Sequence, residues 1–247
     1  MMKPMTTYLE QLKAQYDALL PPTAPAAKAF DAWVDVEYTY ESNAIEGSTL
    51  TRGETGILLD KGFASGNKPY LHYSEALDHK DAVDLIRSMG NSVAPILQYD
   101  IKEIHQAVTK RSYPFISGQW RDTPAWAVGM DTRYAEPRDI PAKMRNFCDW
   151  LNGDESLALP IAELVCRVHF FLAEIHPFTD GNGRTARLLM NVLLIRKGYP
   201  IAIIRNRDRD AYLDALANAA ISDFHPFEEL VTEAIVDSLR RAISFFS

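Results

Sequence analysis

The segment 176–187, HPFTDGNGRTAR, holds the residues best suited to chemistry in this chain. A residue before proline is pushed out of helical geometry, so the apolar helix predicted before it should end at His176. Two glycines around Asn182 permit positive φ and let backbone N–H groups converge on one point. A new helix is predicted from about residue 184, and its free N–H groups and dipole point at the same place. The segment therefore predicts an anion-binding loop suited to phosphate.

The charged side chains of this loop indicate what a bound phosphate would meet. Arg184 and Arg187 are spaced i, i+3 on one helical face, so both should reach the same anion. Asp180 offers a hard oxygen ligand beside it, the usual arrangement for Mg²⁺. His176 has an ordinary pKa close to working pH, which suits a general base. The residues alone predict phosphate or nucleotide binding with a metal, and a base that activates a nucleophile.

Two better-known loops do not fit the segment. An EF-hand starting at Asp180 would need glycine at position 185, where this chain has Thr185. A Walker loop needs the pattern GxxxxGK[ST], which is absent from the sequence. Both classes of site are therefore excluded.

The segment resembles the signature of the Fic family, HxFx[DE]GNGRxxR, and matches it at every specified position. GQWR at 118–121 and YLDAL at 212–216 resemble the family's target-docking flap and the helix after its signature, so the resemblance covers roughly residues 30–230. It implies an adenylyltransferase that moves AMP from ATP to a Ser, Thr or Tyr hydroxyl of a target protein.

The resemblance also implies a role for each part of the loop. His176 would deprotonate the target hydroxyl, which then attacks the α-phosphate, and Asp180 would hold Mg²⁺ between the α- and β-phosphates. Arg184 would hold the β- and γ-phosphates, and Arg187 would meet the γ-phosphate. Phe178 would be buried and anchor the loop. Three further residues would form the anion hole: Gly181, Asn182 and Gly183.

A second segment, SNAIEG at 42–47, lies at the end of a predicted helix. Glu46 falls near its last turn, where a carboxylate is unfavourable against the helix dipole and would gain from a cationic partner. The segment resembles the family's inhibitory motif [ST]xxxE[GN], with Ser42, Glu46 and Gly47 at the matching positions. By that resemblance Glu46 reaches Arg187 and takes the place that the γ-phosphate needs. The chain would then be a self-inhibited Fic enzyme with an N-terminal inhibitory helix.

Three alternatives stay open at this point. In the first, Glu46 positions a water that removes AMP from a modified protein. In the second, the nucleotide donor is UTP, GTP or a CDP-alcohol in place of ATP, because nothing in the sequence specifies the base. A toxin-like or regulatory module would bind the nucleotide without reaction, although intact His176 and Asp180 weigh against this.

Helical periodicity over most of the chain supplies the elements that would position these segments. The sequence predicts helices at 6–20, 29–47, 51–60, 74–89, 98–110, 141–152, 158–175, 184–197, 208–221 and 226–245. Residues 111–140 have aromatics, glycine and proline but no helical period, and so predict a short β-hairpin or flap. The expected fold is mostly α, a single Fic-type helical bundle with a small β-hairpin flap.

The proline-rich stretch 21–27 divides the expected domains. Residues 1–28 would form an N-terminal helix or arm, and residues 29–247 a Fic catalytic domain that includes the inhibitory helix at about 30–47.

With 47% hydrophobic and 24% charged residues the composition is that of a globular protein. A net charge of −7 argues against general binding to nucleic acids or anionic membranes.

The cysteines and the apolar runs predict a cytoplasmic protein. Cys148 and Cys166 form no CxxC pair and are typical of reduced core residues. The N-terminus has no apolar stretch of the secretory kind, and no apolar run is long enough to span a membrane.

The expected partners are ATP and a hydroxyl-bearing protein that docks on the flap at about 113–131. A homodimer is a further option.

Several other residues carry expectations that the structure can test. Asn191 should brace the loop and His169 should be a core histidine. Trp120 and Trp126 would either present an aromatic surface to the target or pack the flap. A basic run and a tyrosine follow the predicted helix at 184–197. They would either form a solvated loop or place one side chain against the nucleotide; the residues are Arg205, Arg207, Arg209 and Tyr212.

Overall fold

A computed structural model describes residues 3–63, 66–126 and 134–247 of the chain. Eleven α-helices lie in this described part, and we number them α1 to α11 in chain order. They are Lys3–Asp17, Ala24–Ile45, Arg52–Lys61, Tyr70–Gly90, Gln98–Thr109, Ile140–Leu151, Asp154–Leu157, Ile161–Ile175, Asn182–Arg196, Arg209–Ala220 and His225–Phe246. The predicted helical bundle is confirmed, with helix ends that differ from the predicted ones by a few residues.

Helix α9 lies at the centre of the bundle, between α8 and α4. Its sequence NGRTARLLMNVLLIR is apolar on nearly every side after the first two turns, and such a helix must be buried. Arg184 and Arg187 stand on these first two turns and are buried with it. The position of α9 therefore places two guanidinium groups inside the protein, where each must find acceptors.

Helix α2 carries the second predicted segment to the centre of the bundle. It starts at a Thr23 cap, whose side chain accepts a hydrogen bond from the Ala26 N–H. It ends at Ile45, and the chain then turns away at Gly47, whose φ of +97° is easily reached only by glycine. Ser42 thus stands on the last turn of α2, and Glu46 is the first residue after the helix.

Helix α1 packs against α11 and contributes Leu9, Leu12 and Tyr16 to the hydrophobic core. The Tyr16 ring stacks on Phe246 with centroids 5.9 Å apart. This helix is therefore held on the bundle by buried apolar surface. The domain boundary after residue 28 stays a prediction.

The β-hairpin expected within 111–140 was wrong. Residues 111–126 and 134–140 contain turns and a short 3₁₀ helix, Pro137–Asp139, and the described chain has no β-strand. Trp126 forms an isolated β-bridge, and beside it the Tyr134 N–H donates to the Ala125 carbonyl at 3.1 Å. Residues 127–133 of the expected flap lie outside the described part. Prolines and glycines in this stretch indicate irregular chain, because proline cannot donate to a strand ladder.

Other sequence expectations concern membranes and cysteines. Among the described residues, no helix is both long enough and apolar enough to span a bilayer. Cys148 and Cys166 are free and buried, which confirms them as core residues.

We predict that α1 contributes substantially to stability. Leu12 is 6% exposed, so Leu12→Ala should lower the free energy of unfolding by about 2–4 kcal/mol through lost burial and the cavity left behind. Leu20 is 41% exposed just after the same helix, and Leu20→Ala should change it by less than about 0.5 kcal/mol. Urea unfolding of both variants provides the measurement. Equal effects would mean that α1 does not pack in solution as described.

Candidate active site

His176 ends α8 in a left-handed backbone conformation, with φ 51° and ψ 58°. Its N–H still donates to the Leu172 carbonyl at 3.1 Å, so the helix stops at the predicted residue. Residues other than glycine adopt this conformation at a cost. Arg121 offsets that cost, because its Nε donates to the His176 carbonyl at 2.7 Å and its N–H to the Pro177 carbonyl at 2.9 Å.

The His176 imidazole is partly buried and stacks on the Tyr134 ring, with centroids 3.9 Å apart. Burial, assisted by the Arg121 guanidinium, lowers the pKa of His176 to about 4. The ring is therefore neutral at physiological pH and keeps a lone pair. A neutral imidazole is the form that can accept a proton from a hydroxyl group.

Arg184 is held between two carboxylates. Its Nη2 donates to Asp180 Oδ1 at 2.7 Å, and its Nη1 donates to Glu75 Oε1 on α4 at 3.0 Å. Glu75 is buried, and burial raises its pKa, whereas the Asp180 side chain is 44% exposed. Glu75 therefore fixes the guanidinium from inside while Asp180 faces the open side. The sequence carries no local signal for Glu75, because its partner lies 109 positions away.

The three residues of the expected anion hole differ in how they are used. Gly181 has φ 76° and caps α9, which begins at Asn182. The Asn182 side chain braces the loop, since Oδ1 accepts from the Phe178 N–H at 2.9 Å and Nδ2 donates to the Phe178 carbonyl at 2.8 Å. A Cβ on Gly183 would lie 2.5 Å from Glu46 Oε1. Backbone N–H groups at the α9 N-terminus, and not the Asn182 side chain, are thus left to meet an anion.

Arg187 joins the two predicted segments across 141 positions of sequence. Its Nη2 donates to Glu46 Oε1 at 2.7 Å, and its Nε donates to Ser42 Oγ at 3.1 Å. Nη2 also donates to the Ser42 carbonyl, and Nη1 to the Tyr212 hydroxyl at 3.3 Å. Arg187 is 1% exposed, while 37% of the Glu46 side chain is exposed. The contact therefore joins a buried cation to a carboxylate at the rim.

Burial of Glu46 acts to raise its pKa, but nearby guanidinium groups outweigh this effect and lower it. Arg187 acts most strongly, followed by Arg184 and Arg209. Glu46 is thus ionised at neutral pH. A carboxylate at this place keeps any second anion away from Arg187.

The basic run after α9 contacts the last turns of α2. Arg205 pairs with Glu37 and Glu41, and the Asn206 N–H donates to Glu41 Oε2 at 2.7 Å. Arg209 Nε donates to the Ile45 carbonyl at 2.7 Å, at the helix end. The expectation of a solvated or nucleotide-binding run missed this partner. Glu37 and Glu41 are buried on α2 and a buried carboxylate needs a cation, but this burial is seen only in the structure.

Several other residues singled out in the sequence support the fold around the site by hydrogen bonding or packing. Asn191 braces α9, donating to the Tyr38 hydroxyl at 3.0 Å and to the Ala202 carbonyl at 3.0 Å. His169 is buried and its Nε2 lies 3.0 Å from the Tyr212 hydroxyl, as expected of a core histidine. Phe178 is fully buried and contacts the Trp120 ring at 4.9 Å. Trp120 therefore packs under the loop.

Metal ligands in the described part of the chain are too few for a site made by protein alone. No group of three or more His, Cys, Asp or Glu side chains there is placed to hold an ion. Mg²⁺ commonly takes one or two carboxylates and completes its shell with substrate phosphates and water. The half-exposed Asp180 carboxylate, next to a helix N-terminus that attracts phosphate, fits such a shared site.

Comparison with known proteins gives consistent matches. Residues 95–194 match the model of the Fic/DOC family. The protein adenylyltransferase Fic of Nematostella vectensis is 37% identical over 206 residues, which cover 82% of this chain and 48% of that protein. The protein adenylyltransferase fic-1 of Caenorhabditis elegans is 32% identical over 83% of this chain and 41% of its own length. The chain thus spans less than half the length of these curated relatives.

Solved structures match nearly the whole fold. A Fic-domain-containing signaling protein from Bacteroides thetaiotaomicron has a TM-score of 0.90 and 30% identity, covering 96% of this chain and 97% of that chain. Residues 134–508 of Fic-1 from C. elegans have a TM-score of 0.88 and 28% identity, covering 98% of this chain and 71% of that chain.

We predict that the Glu46 contact stabilises the fold in a pH-dependent way. Because the pKa of Glu46 is lowered below its ordinary 4.5, its contribution is complete above pH 4.5 and is lost as the pH falls through the folded-state pKa. Glu46→Gln should cost about 1 kcal/mol or less at neutral pH, since the carboxylate is partly solvated. Urea unfolding at several pH values should show the difference shrinking below pH 4.5. A difference that stays constant would contradict the ionic contact.

Proposed function

The chain belongs to the Fic/DOC family, and on that basis we propose that it is a protein adenylyltransferase. It would transfer AMP from ATP to a Ser, Thr or Tyr hydroxyl of a target protein. One observation carries this proposal: the loop from His176 to Gly181 brings a neutral histidine and a carboxylate to the N-terminus of a helix that holds two buried arginines. The names of the curated relatives support the same reaction.

In the proposed reaction the target hydroxyl oxygen attacks the α-phosphorus of ATP. An oxygen–phosphorus bond forms, the bond from the α-phosphorus to the bridging oxygen breaks, and pyrophosphate leaves. His176 takes the hydroxyl proton, which its lowered pKa allows because the ring starts neutral. The left-handed turn at His176 supports this role, since strained backbone at such a residue is often functional.

The nucleotide phosphates would lie against the start of α9. The N–H groups of its first turn, which have no partner within the helix, and the helix dipole would bind them, and Gly183 leaves room for close approach. Arg184, held by Glu75, would contact the β- and γ-phosphates. Asp180 would hold Mg²⁺, which when bound supplies positive charge to the phosphates.

Glu46 would restrain the reaction by occupying Arg187. The carboxylate lies 2.7 Å from the guanidinium that the γ-phosphate would otherwise meet. Both anions cannot pair with Nη2 at once, so ATP would bind poorly or with its phosphates displaced. The contacts of Arg205, Asn206 and Arg209 with α2 support a helix held in the restraining position.

Removal of AMP from a modified protein is a second candidate function. The partial exposure of the Glu46 side chain supports it, because water can reach the carboxylate. Glu46 Oε1 accepts from Arg187, and in the described part of the chain Oε2 has no hydrogen-bond partner. That oxygen is available to orient a water at the edge of the anion hole. A wild-type protein that hydrolyses the AMP–protein bond, and loses this with Glu46→Gly, would make removal the principal activity.

The finer expectations about partners remain proposals. A target protein would dock over residues 113–131, where Phe115 and Trp126 are exposed aromatic side chains. Two buried free cysteines support the cytoplasmic location predicted from the sequence. A homodimer stays a prediction.

We predict that ATP labelled at the α-phosphate modifies the Glu46→Gly variant itself at least about tenfold more than the wild type, which corresponds to about 1.4 kcal/mol of released restraint. The reason is that Arg187 becomes free for the γ-phosphate. Auto-modification is measured after gel separation, with Mg²⁺ present.

Two controls make this result specific. Glu46→Gly combined with His176→Ala should take up no label, because the base is lost. ATP labelled at the γ-phosphate should leave no label on Glu46→Gly, which separates AMP transfer from phosphate transfer. A silent Glu46→Gly variant that still binds ATP would contradict self-inhibited transfer.

A further inference from the structure

His105 on α5 is fully buried beneath the phosphate-binding loop. Its ring stacks on Phe178 with centroids 3.7 Å apart and planes 3° from parallel. A Cβ on Gly181 would lie 3.4 Å from the same ring. The imidazole thus packs against the underside of the loop that precedes α9.

Both ring nitrogens of His105 are hydrogen-bonded to backbone groups from separate parts of the chain. Nδ1 accepts from the Gly118 N–H at 2.9 Å, and Nε2 lies 3.0 Å from the Asp180 carbonyl oxygen. An N–H group only donates and a carbonyl only accepts, so Nδ1 is bare and Nε2 carries the proton. One neutral ring therefore ties the segment around Gly118 to the loop at Asp180.

The bond to the Asp180 carbonyl fixes the peptide between Asp180 and Gly181. Gly181 then turns the chain into α9 with φ 76°, and the Asp180 carboxylate reaches Arg184 at 2.7 Å. The direction of a side chain follows from the orientation of its own backbone, so anchoring this carbonyl anchors the carboxylate. Groups that hold a metal ligand in position commonly affect how well the metal binds, and His105 would do this through the backbone of Asp180.

The bond to Gly118 connects the same ring to His176. Three residues after Gly118, Arg121 binds the His176 and Pro177 backbone. His105 therefore supports both ends of the loop. It holds Asp180, the proposed metal ligand, directly, and it holds His176, the proposed base, through the segment from Gly118 to Arg121.

We propose that His105 is a positioning residue, which aims the Asp180 carboxylate at the metal-bound phosphates by holding the Asp180 carbonyl. This inference rests on the proposed function, because it assigns Mg²⁺ to Asp180. It extends that function to a residue outside the signature segment. The competing view is that His105 only fills the core.

Two substitutions separate the hydrogen bonds of the ring. A glutamine amide reaches about as far as Nε2 and can still donate to Asp180, whereas an asparagine amide ends near Nδ1 and can accept only from Gly118. Each variant keeps one bond and loses ring stacking, so their effects on general stability should be alike. They differ in whether the Asp180 carbonyl stays held.

The experiment is titration calorimetry of the whole chain with ATP, in Mg²⁺ and in EDTA, in the Glu46→Gly background. The Glu46→Gly parent should bind ATP more tightly with Mg²⁺. His105→Asn should lose at least about tenfold of that gain, the usual effect of removing a ligand's support. His105→Gln should keep most of it, and in EDTA all three proteins should bind ATP alike.

Several results would overturn the inference. Equal loss in His105→Asn and His105→Gln, or weaker ATP binding in EDTA, would make His105 a general core residue. If His105→Asn does not fold, loss of the Mg²⁺ gain in His105→Gln would have the same meaning. A parent without any Mg²⁺ gain would show that Asp180 holds no metal. A parent that binds Mg²⁺ with ATP but transfers no AMP would contradict the proposed function and leave this comparison intact.

Discussion

The buried guanidinium of Arg187 is the constraint on which the site depends. Arginine stays charged at any physiological pH, and a charge removed from water must be paired. Arg187 is 1% exposed, so its partners have to come from the protein or from a bound anion. Ser42, Glu46 and Tyr212 supply acceptors, and the first two require that α2 end beside α9.

In the proposed mechanism, this requirement would give the site two states that share one cation. With α2 in place, Glu46 satisfies Arg187 from the rim of the site, where 37% of its side chain meets solvent. With a nucleotide bound, a phosphate oxygen would do the same. Arg184 differs from Arg187, because its inner partner Glu75 lies on α4 and not on α2, and would stay in place in either state. Regulation and catalysis would thus share Arg187, while Arg184 serves the nucleotide alone.

The signature loop could be predicted because a short motif records local geometry, whereas the Glu46–Arg187 contact, across 141 positions, was predicted only through the resemblance of SNAIEG to the inhibitory motif. Proline after His176 and glycine around Asn182 dictate a helix end, a turn and a helix start within a few residues. Partners distant in sequence left no such record, so Glu75 and His105 were missed. The hairpin was wrong for a related reason: proline, glycine and aromatics exclude a helix, but they do not require a strand. Side chains such as Arg121 and His105 hold that segment instead.

The most direct test of the account compares ATP with ADP. Calorimetry would give the dissociation constant of each nucleotide for the wild type and for Glu46→Gly. If Glu46 and the γ-phosphate compete for Arg187, Glu46→Gly should tighten ATP at least about tenfold, or about 1.4 kcal/mol, and leave ADP nearly unchanged. An equal change for both nucleotides, or no change for ATP, would contradict competition at Arg187.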